Sequence, residues 1–106
     1  MRTMHEVARF EVCSSGEGFS LAPIGELDMA SSPAFAAALD GMMSTLGEVV
    51  VDMSGVRFMD SAGLNVLCAA ARSGAVRLHC VPDQVRRVIE ITGLEATFGI
   101  QAVAPT

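Results

Sequence analysis

Residues 48–67 read Glu48-Val49-Val50-Val51-Asp52-Met53-Ser54-Gly55-Val56-Arg57-Phe58-Met59-Asp60-Ser61-Ala62-Gly63-Leu64-Asn65-Val66-Leu67, and the succession of residue types in that stretch decides the fold. Glu48 to Met53 is a dense β-branched run, the pattern of a central strand buried on both faces. Its end at Asp52 is followed by Ser54-Gly55, a turn pair, and by a loop crossing the sheet edge that Phe58 and Met59 are expected to pin to the core. Asp60 and Ser61 then fall at the N-terminus of a helix beginning near Ala62. Its apolar stripe is Leu64, Leu67, Cys68 and Ala71, closed by Ser73-Gly74. Strand, loop and helix in so few residues make the first half of an α/β unit.

Outward from this segment the same alternation continues. Val7 to Val12 and Phe19 to Ile24 read as a hairpin around Ser14-Ser15-Gly16-Glu17-Gly18. Gly25-Glu26-Leu27-Asp28 follows as a turn. Ser31 or Ser32 supplies a helix N-cap, and Pro33 suits the first helical position. Phe35, Leu39, Met42, Met43 and Leu46 then repeat at helical spacing. Beyond the quoted stretch, Val76 to Val81 is a strand and Pro82-Asp83 opens a third helix with Val85, Val88 and Ile89 inward. Gly93 is its stop, and Phe98 to Val103 forms a last strand. The order ββαβαβαβ predicts a mixed sheet of four to five strands, partly parallel, with three or more helices packed against it. One domain is expected over 1–106, with an ordered core of about 5–103.

Composition narrows the function. The chain has 106 residues, 51% of them hydrophobic, with no Trp or Tyr and five Phe, so the core is aliphatic. A domain of that length buries about two-thirds of its unfolded surface without needing staples. The formal charge is −5 and all seven basic residues are scattered Arg, which is not the electrostatic footprint of a nucleic-acid binder. No apolar run reaches the roughly 20 residues of a membrane span, and with no long apolar run behind Met1-Arg2-Thr3-Met4-His5-Glu6 no signal peptide is expected. Cys13, Cys68 and Cys80 are odd in number and widely spaced, neither a disulfide framework nor a zinc set. They read as small core residues in a protein of the reducing cytoplasm, and the methionines as core filler. No metal and no cofactor is expected.

The chemistry concentrates at Asp60-Ser61. A helix N-terminus presents free N–H groups and the positive end of the helix dipole, so a phosphate esterified to Ser61 would meet donors there. Either Asp60 or Ser61 can be the cap, and the sequence does not separate them. Gly63, lacking a side chain, would let another protein's backbone approach closely. A hydrolase nucleophile elbow needs Gly at position 59, which is Met, and the only downstream His, His79, lies inside a strand pattern. Aspartyl phosphorylation at Asp52 fails as well, because the chain contains no Lys. His79 and Cys80, as strand neighbours, point to opposite faces and cannot share a metal.

The run Phe58-Met59-Asp60-Ser61-Ala62-Gly63-Leu64 resembles the phosphorylation-loop motif of anti-sigma-factor antagonists, members of the STAS family, in which the Ser after the Asp is phosphorylated. Gly25-Glu26-Leu27-Asp28 resembles their turn before the first helix. Pro82 to Leu94, closing on Ile91-Thr92-Gly93-Leu94, is similar to their third helix and its exit. The three matches fall in order and at the right spacing over most of residues 5–100.

That resemblance implies the STAS fold and a non-enzymatic binding module. Its partner would be an anti-sigma factor with serine kinase activity, which the unphosphorylated protein binds, releasing a sigma factor. Phosphorylation at Ser61 would abolish binding, and a serine phosphatase would reset the cycle. The partner-binding residues it implies are Asp28, Met59, Asp60, Ser61, Ala62, Gly63 and Leu64. Apart from the resemblance, composition leads to the expectation of no nucleic-acid or membrane partner, and a monomer in isolation is expected. Two departures stand out: Ala62 occupies a position where relatives often carry Ser or Thr, and the further C-terminal helix many of them have is not expected within the stretch up to Thr106. Service as a nucleotide-binding or sensory STAS domain is the other reading; no Gly-rich phosphate loop supports it.

Overall fold

The computed structural model describes residues 8–15, 18–94 and 96–99. Among these residues nine elements run in the order β1 (Arg9–Ser15), β2 (Gly18–Leu27), α1 (Ser32–Leu46), β3 (Glu48–Asp52), β4 (Val56–Met59), α2 (Ser61–Ser73), β5 (Ala75–His79), α3 (Asp83–Thr92) and a short 3-10 turn, Ala96–Phe98. The five strands form one mixed sheet with β1-β2-β3-β5 side by side and β4 joined to β2. Among the described residues the β1–β2 pairing alone is antiparallel; β2–β3, β2–β4 and β3–β5 are parallel. The expected mixed sheet with three helices is what the chain builds.

β2 organises the sheet. Its first part pairs with β1 through an unbroken register from Ser15↔Gly18 to Arg9↔Ile24, and Ser20 and Leu21 pair with Val50 and Val51 of β3. Its last three residues, beyond the β3 pairing, take β4 instead: Gly25↔Val56, Glu26↔Phe58 and Leu27↔Met59, with an irregularity between Gly25 and Glu26. The stretch expected to be a turn from Gly25 onward is therefore strand as far as Leu27. The loop expected after Asp52 contains a strand as well, and this strand carries the chain to Asp60.

β3 lies between β2 and β5 as expected of a central strand, with Val49 and Val51 buried and Val50 and Asp52 half-buried. Phe35, Leu39 and Met43 of α1, Leu64 and Leu67 of α2, and Val85 and Ile89 of α3 complete one core with Leu21, Leu27, Met53, Val56, Met59, Val76, Leu78 and Phe98. Among the described residues no polar or charged side chain is fully buried. Phe10 stacks on Phe35 with ring centroids 5.7 Å apart, fastening the hairpin to α1. Gly93 ends α3 in the left-handed conformation at φ 73°, which costs glycine little.

Several expectations are corrected. Phe58 is 41% exposed and does not pin its segment to the core; on a strand, Val56 and Met59 turn inward and it does not. Leu46, the last residue of the α1 stripe, is 44% exposed because the helix ends there. Cys13 and Cys80 are exposed and only Cys68 is half-buried, so the cysteines are not uniformly core residues. Cys80 lies past the end of β5 at φ 56°, so it is not His79's strand neighbour. Met43, Met53 and Met59 are core, whereas Met29 is 79% exposed. Phe98 belongs to a 3-10 turn rather than a strand, and positions 100–103 of that expected strand lie outside the described residues, as does Val7.

Candidate functional site

The strand pairing at the end of β2 brings two separate motifs together. The amide of Asp60 donates to the carbonyl of Leu27 at 3.2 Å. The turn after β2, carrying Asp28 and Met29, thus lies beside the turn after β4, carrying Asp60 and Ser61. Two segments more than thirty positions apart in sequence form one end of the molecule.

Asp60 is the N-cap of α2. Its backbone is extended, at φ −110° and ψ −169°, and its Oδ1 accepts from the amides of Ala62 at 2.8 Å and Gly63 at 3.3 Å. Its carbonyl accepts from Leu64 at 3.1 Å, the first turn of the helix. This resolves the ambiguity between the two candidate caps. Ser61 is the first helical residue, exposed, and its hydroxyl makes no hydrogen bond among the described residues. The expectation that a phosphate on Ser61 would meet vacant helix donors is corrected: the Ala62 and Gly63 amides already serve Asp60, and a phosphate would have to compete with that carboxylate.

Asp28 and Ser31 exchange hydrogen bonds. The amide of Asp28 donates to Ser31 Oγ at 3.0 Å, and the amide of Ser31 donates to Asp28 Oδ1 at 3.1 Å. Ser31 Oγ donates in turn to the Glu26 carbonyl at 2.8 Å, and Ser32 Oγ to the Asp28 carbonyl at 2.7 Å. Ser31 precedes α1 as its N-cap residue but spends its hydroxyl backward on the turn, without a side-chain bond to the helix. Pro33 is the second residue of α1. Asp28 is half-buried and held by this network.

The remaining candidates divide by burial. Met59 is fully buried and Leu64 is 6% exposed. Gly63 is buried too, and a Cβ there would sit 2.7 Å from the Leu27 carbonyl oxygen and 2.8 Å from Met59 Cγ. The backbone that Gly63 admits is therefore that of β2 in its own chain. These three residues hold the loop in place, while Asp60, Ser61 and Ala62, with Asp28, form its accessible part.

Two residues at the site have roles that the sequence reading does not give them: Ser31, expected only as a helix-cap candidate, and Gln84. Ser31 carries a local signal, an Asp-x-x-Ser spacing that suits reciprocal capping. Gln84 on α3 carries none. Its side-chain amide accepts from the Met59 N–H at 3.1 Å and donates to the Met59 carbonyl at 3.2 Å, across 25 positions of sequence. Among the described residues, no group of three or more His, Cys, Asp or Glu could hold a metal ion, and no helix is long and apolar enough to cross a membrane.

A five-stranded mixed sheet whose fourth strand delivers a capped helix terminus, with an exposed serine in its first turn, defines a small α/β module built around one loop. Residues 14–102 match the sequence profile described as "Mlab, STAS domain", and the chain belongs to the STAS-domain family. No curated protein matches it by sequence. Among solved structures it is similar to an anti-sigma factor antagonist from Mycobacterium paratuberculosis, at 27% identity and a TM-score of 0.75, covering 91% of this chain and 86% of that one. The anti-sigma factor antagonist SpoIIAA in its unphosphorylated form matches at 18% identity and a TM-score of 0.72, with coverage of 91% and 89%. The phosphorylated form, described as a Bacillus cell fate determinant, matches at 18% identity and a TM-score of 0.66, with coverage of 91% and 92%. The chain thus has the fold of the anti-sigma-factor antagonists, which are binding proteins rather than enzymes.

Proposed function

We propose that this protein is an anti-sigma-factor antagonist switched by phosphorylation of Ser61. Unphosphorylated, it docks on an anti-sigma factor that is also a serine kinase and so frees a sigma factor. The kinase phosphorylates Ser61, the complex separates, and a serine phosphatase restores the docking form. The observation that carries this reading is the exposed Ser61 hydroxyl, free of intramolecular hydrogen bonds among the described residues and set in the first turn of α2. An oxygen in that position can reach a kinase without any part of the fold opening.

The physics of the mark supports dissociation over unfolding. Phosphorylation adds about −1.5 to −2 charges at neutral pH. In the free protein Ser61 is exposed, and repulsion from Asp60 at about 5 Å through water is of the order of 1 kcal/mol per charge. The helix dipole offsets part of this, by roughly 0.3–1 kcal/mol. The fold tolerates that balance. Against a partner, water is excluded, the same repulsion rises toward about 3 kcal/mol at an effective dielectric near 20, and an unpaired buried charge costs several kcal/mol more. Each 1.4 kcal/mol is about tenfold in affinity, so docking is lost. Occupation of the Ala62 and Gly63 amides by Asp60 strengthens this argument, because the added charge finds less compensation within its own domain.

The docking surface in this reading is the end where Asp28 meets Asp60, Ser61 and Ala62, with exposed Met29 and Phe58 as its apolar part. Met59, Gly63 and Leu64 contribute by shaping it from beneath. The test is to recover the partner with a tagged Ser61→Ala bait, incubate it with the wild-type protein and ATP, and locate the phosphate by mass spectrometry. Label confined to Ser61 supports the proposal; label elsewhere, or nucleotide bound without transfer, refutes it.

A further inference from the structure

We infer that Gln84 is a positioning residue for the Ser61 switch, a side-chain clamp that couples α3 to the phosphorylation loop; this rests on the reading of Ser61 as the phosphorylated residue. Neighbouring residues in a strand direct their N–H and C=O groups to opposite edges. The Asp60 amide is directed at β2, where it meets the Leu27 carbonyl. The N–H and C=O of Met59 therefore face away from β2, on the side where β4 has no further strand pairing among the described residues. Both are taken by one side chain: Gln84 Oε1 accepts from the Met59 N–H at 3.1 Å, and Gln84 Nε2 donates to the Met59 carbonyl at 3.2 Å. The carboxamide makes the two hydrogen bonds that the peptide group of a neighbouring strand would make.

The consequence falls on Ser61. Met59 is braced by Gln84, Asp60 is braced by Leu27, and Asp60 in turn sets the first turn of α2 through its carboxylate. Two residues in a row, Met59 and Asp60, are fixed from two different elements, α3 and β2, and the hydroxyl to be phosphorylated comes directly after them. The residue supplying the brace sits in the first turn of α3, whose Val85 and Ile89 are buried in the core. Gln84 itself is exposed apart from this contact, so it is not held there by burial. Transfer of the γ-phosphoryl group from ATP to Ser61 Oγ, with ADP leaving and the hydroxyl proton passing to the kinase's base, needs that oxygen in line with the breaking bond. A small displacement of the acceptor costs turnover more than it costs docking.

The test uses full-length Gln84→Met, which keeps the length of the side chain and removes both hydrogen bonds, and Gln84→Glu, which keeps an acceptor for the Met59 N–H but sets a carboxylate against the Met59 carbonyl. Both are phosphorylated with ATP by the kinase recovered on the Ser61→Ala bait, and the Met59 and Asp60 amides are followed by hydrogen exchange. The expected result for Gln84→Met is a kcat about tenfold below wild type with KM unchanged, faster exchange at Met59 and Asp60, and unchanged exchange at Val51 in the core. Gln84→Glu should fall between it and wild type. A wild-type kcat in either variant overturns the proposal, as does a raised KM with kcat unchanged, which would make Gln84 a direct kinase contact. A wild-type protein that takes no phosphate on Ser61 overturns the switch itself and this proposal with it. Failure of the clamp alone leaves wild-type labelling intact.

Discussion

Leu27 and Gly63 touch so closely that the helix after the switch loop lies on the end of β2 with no room for a methyl group between them. A Cβ at position 63 would come within 2.7 Å of the Leu27 carbonyl oxygen and 3.0 Å of its Cβ. Through this contact the position of Ser61 is set by a strand more than thirty residues earlier.

Gly63→Ala should therefore destabilise the protein despite improving helix propensity. Overpacking costs about 1–3 kcal/mol, and the upper end applies because the obstruction is a backbone carbonyl. Helix propensity returns about 1 kcal/mol. The net loss of about 2 kcal/mol lowers Tm by roughly 10 °C in a domain of this size, measurable by thermal melting. A Tm within a degree or two of wild type would show that the helix can slide off β2.

Asp60 joins two roles that substitution can separate. Asp60→Ala removes the cap and should cost about 1 kcal/mol, whereas Asp60→Asn, an equally good cap, should change stability by less than about 0.5 kcal/mol. Asp60→Asn also removes the charge beside Ser61, so phosphorylation should weaken partner binding less in this variant than in wild type. Urea unfolding of both, with binding measured before and after phosphorylation, checks the pair. Equal stability of the two variants would contradict the cap.

Ser31→Ala strips the turn after β2 of its central hydroxyl. The Asp28 amide and the Glu26 carbonyl each lose a partner, an expected cost of about 1–2 kcal/mol. Chemical denaturation gives the value, and amide exchange at Asp28 should rise while exchange in β3 does not.

Much of this architecture was readable beforehand because it rests on local patterns. The Val49-Val50-Val51 run fixed β3, the spacing of Phe35, Leu39 and Met43 fixed α1, and Gly93 marked the end of α3. What stayed hidden depends on tertiary pairing. β4 is four residues long with only its first and last buried, so Val56-Arg57-Phe58-Met59 shows no clean alternation. It is a strand because the end of β2 offers it an edge. Phe58 looked like core on hydrophobicity alone, and only the pairing determines which way it faces. Asp60 and Ser61 are both good caps, so composition could not rank them; backbone geometry did. Gln84 had no local signature, since its partner is a backbone group 25 positions away.

Cys80 sits in the left-handed region at φ 56°, a conformation that costs a residue with a Cβ about 1–2 kcal/mol. Cys80→Gly should relieve that strain, partly offset by about 0.5–1 kcal/mol from the more flexible unfolded chain. A gain of roughly 0.5–1 kcal/mol is expected in chemical denaturation, with partner binding unchanged. A loss of stability would mean that the side chain contributes packing worth more than the strain.

The central claim is tested most directly by calorimetric titration of Ser61→Ala and Ser61→Asp against the recovered anti-sigma kinase. Ser61→Ala should bind as tightly as the unphosphorylated wild type, and Ser61→Asp at least about a hundredfold more weakly, equivalent to about 2.7 kcal/mol. Matching affinities for the two variants, with both correctly folded, would contradict it.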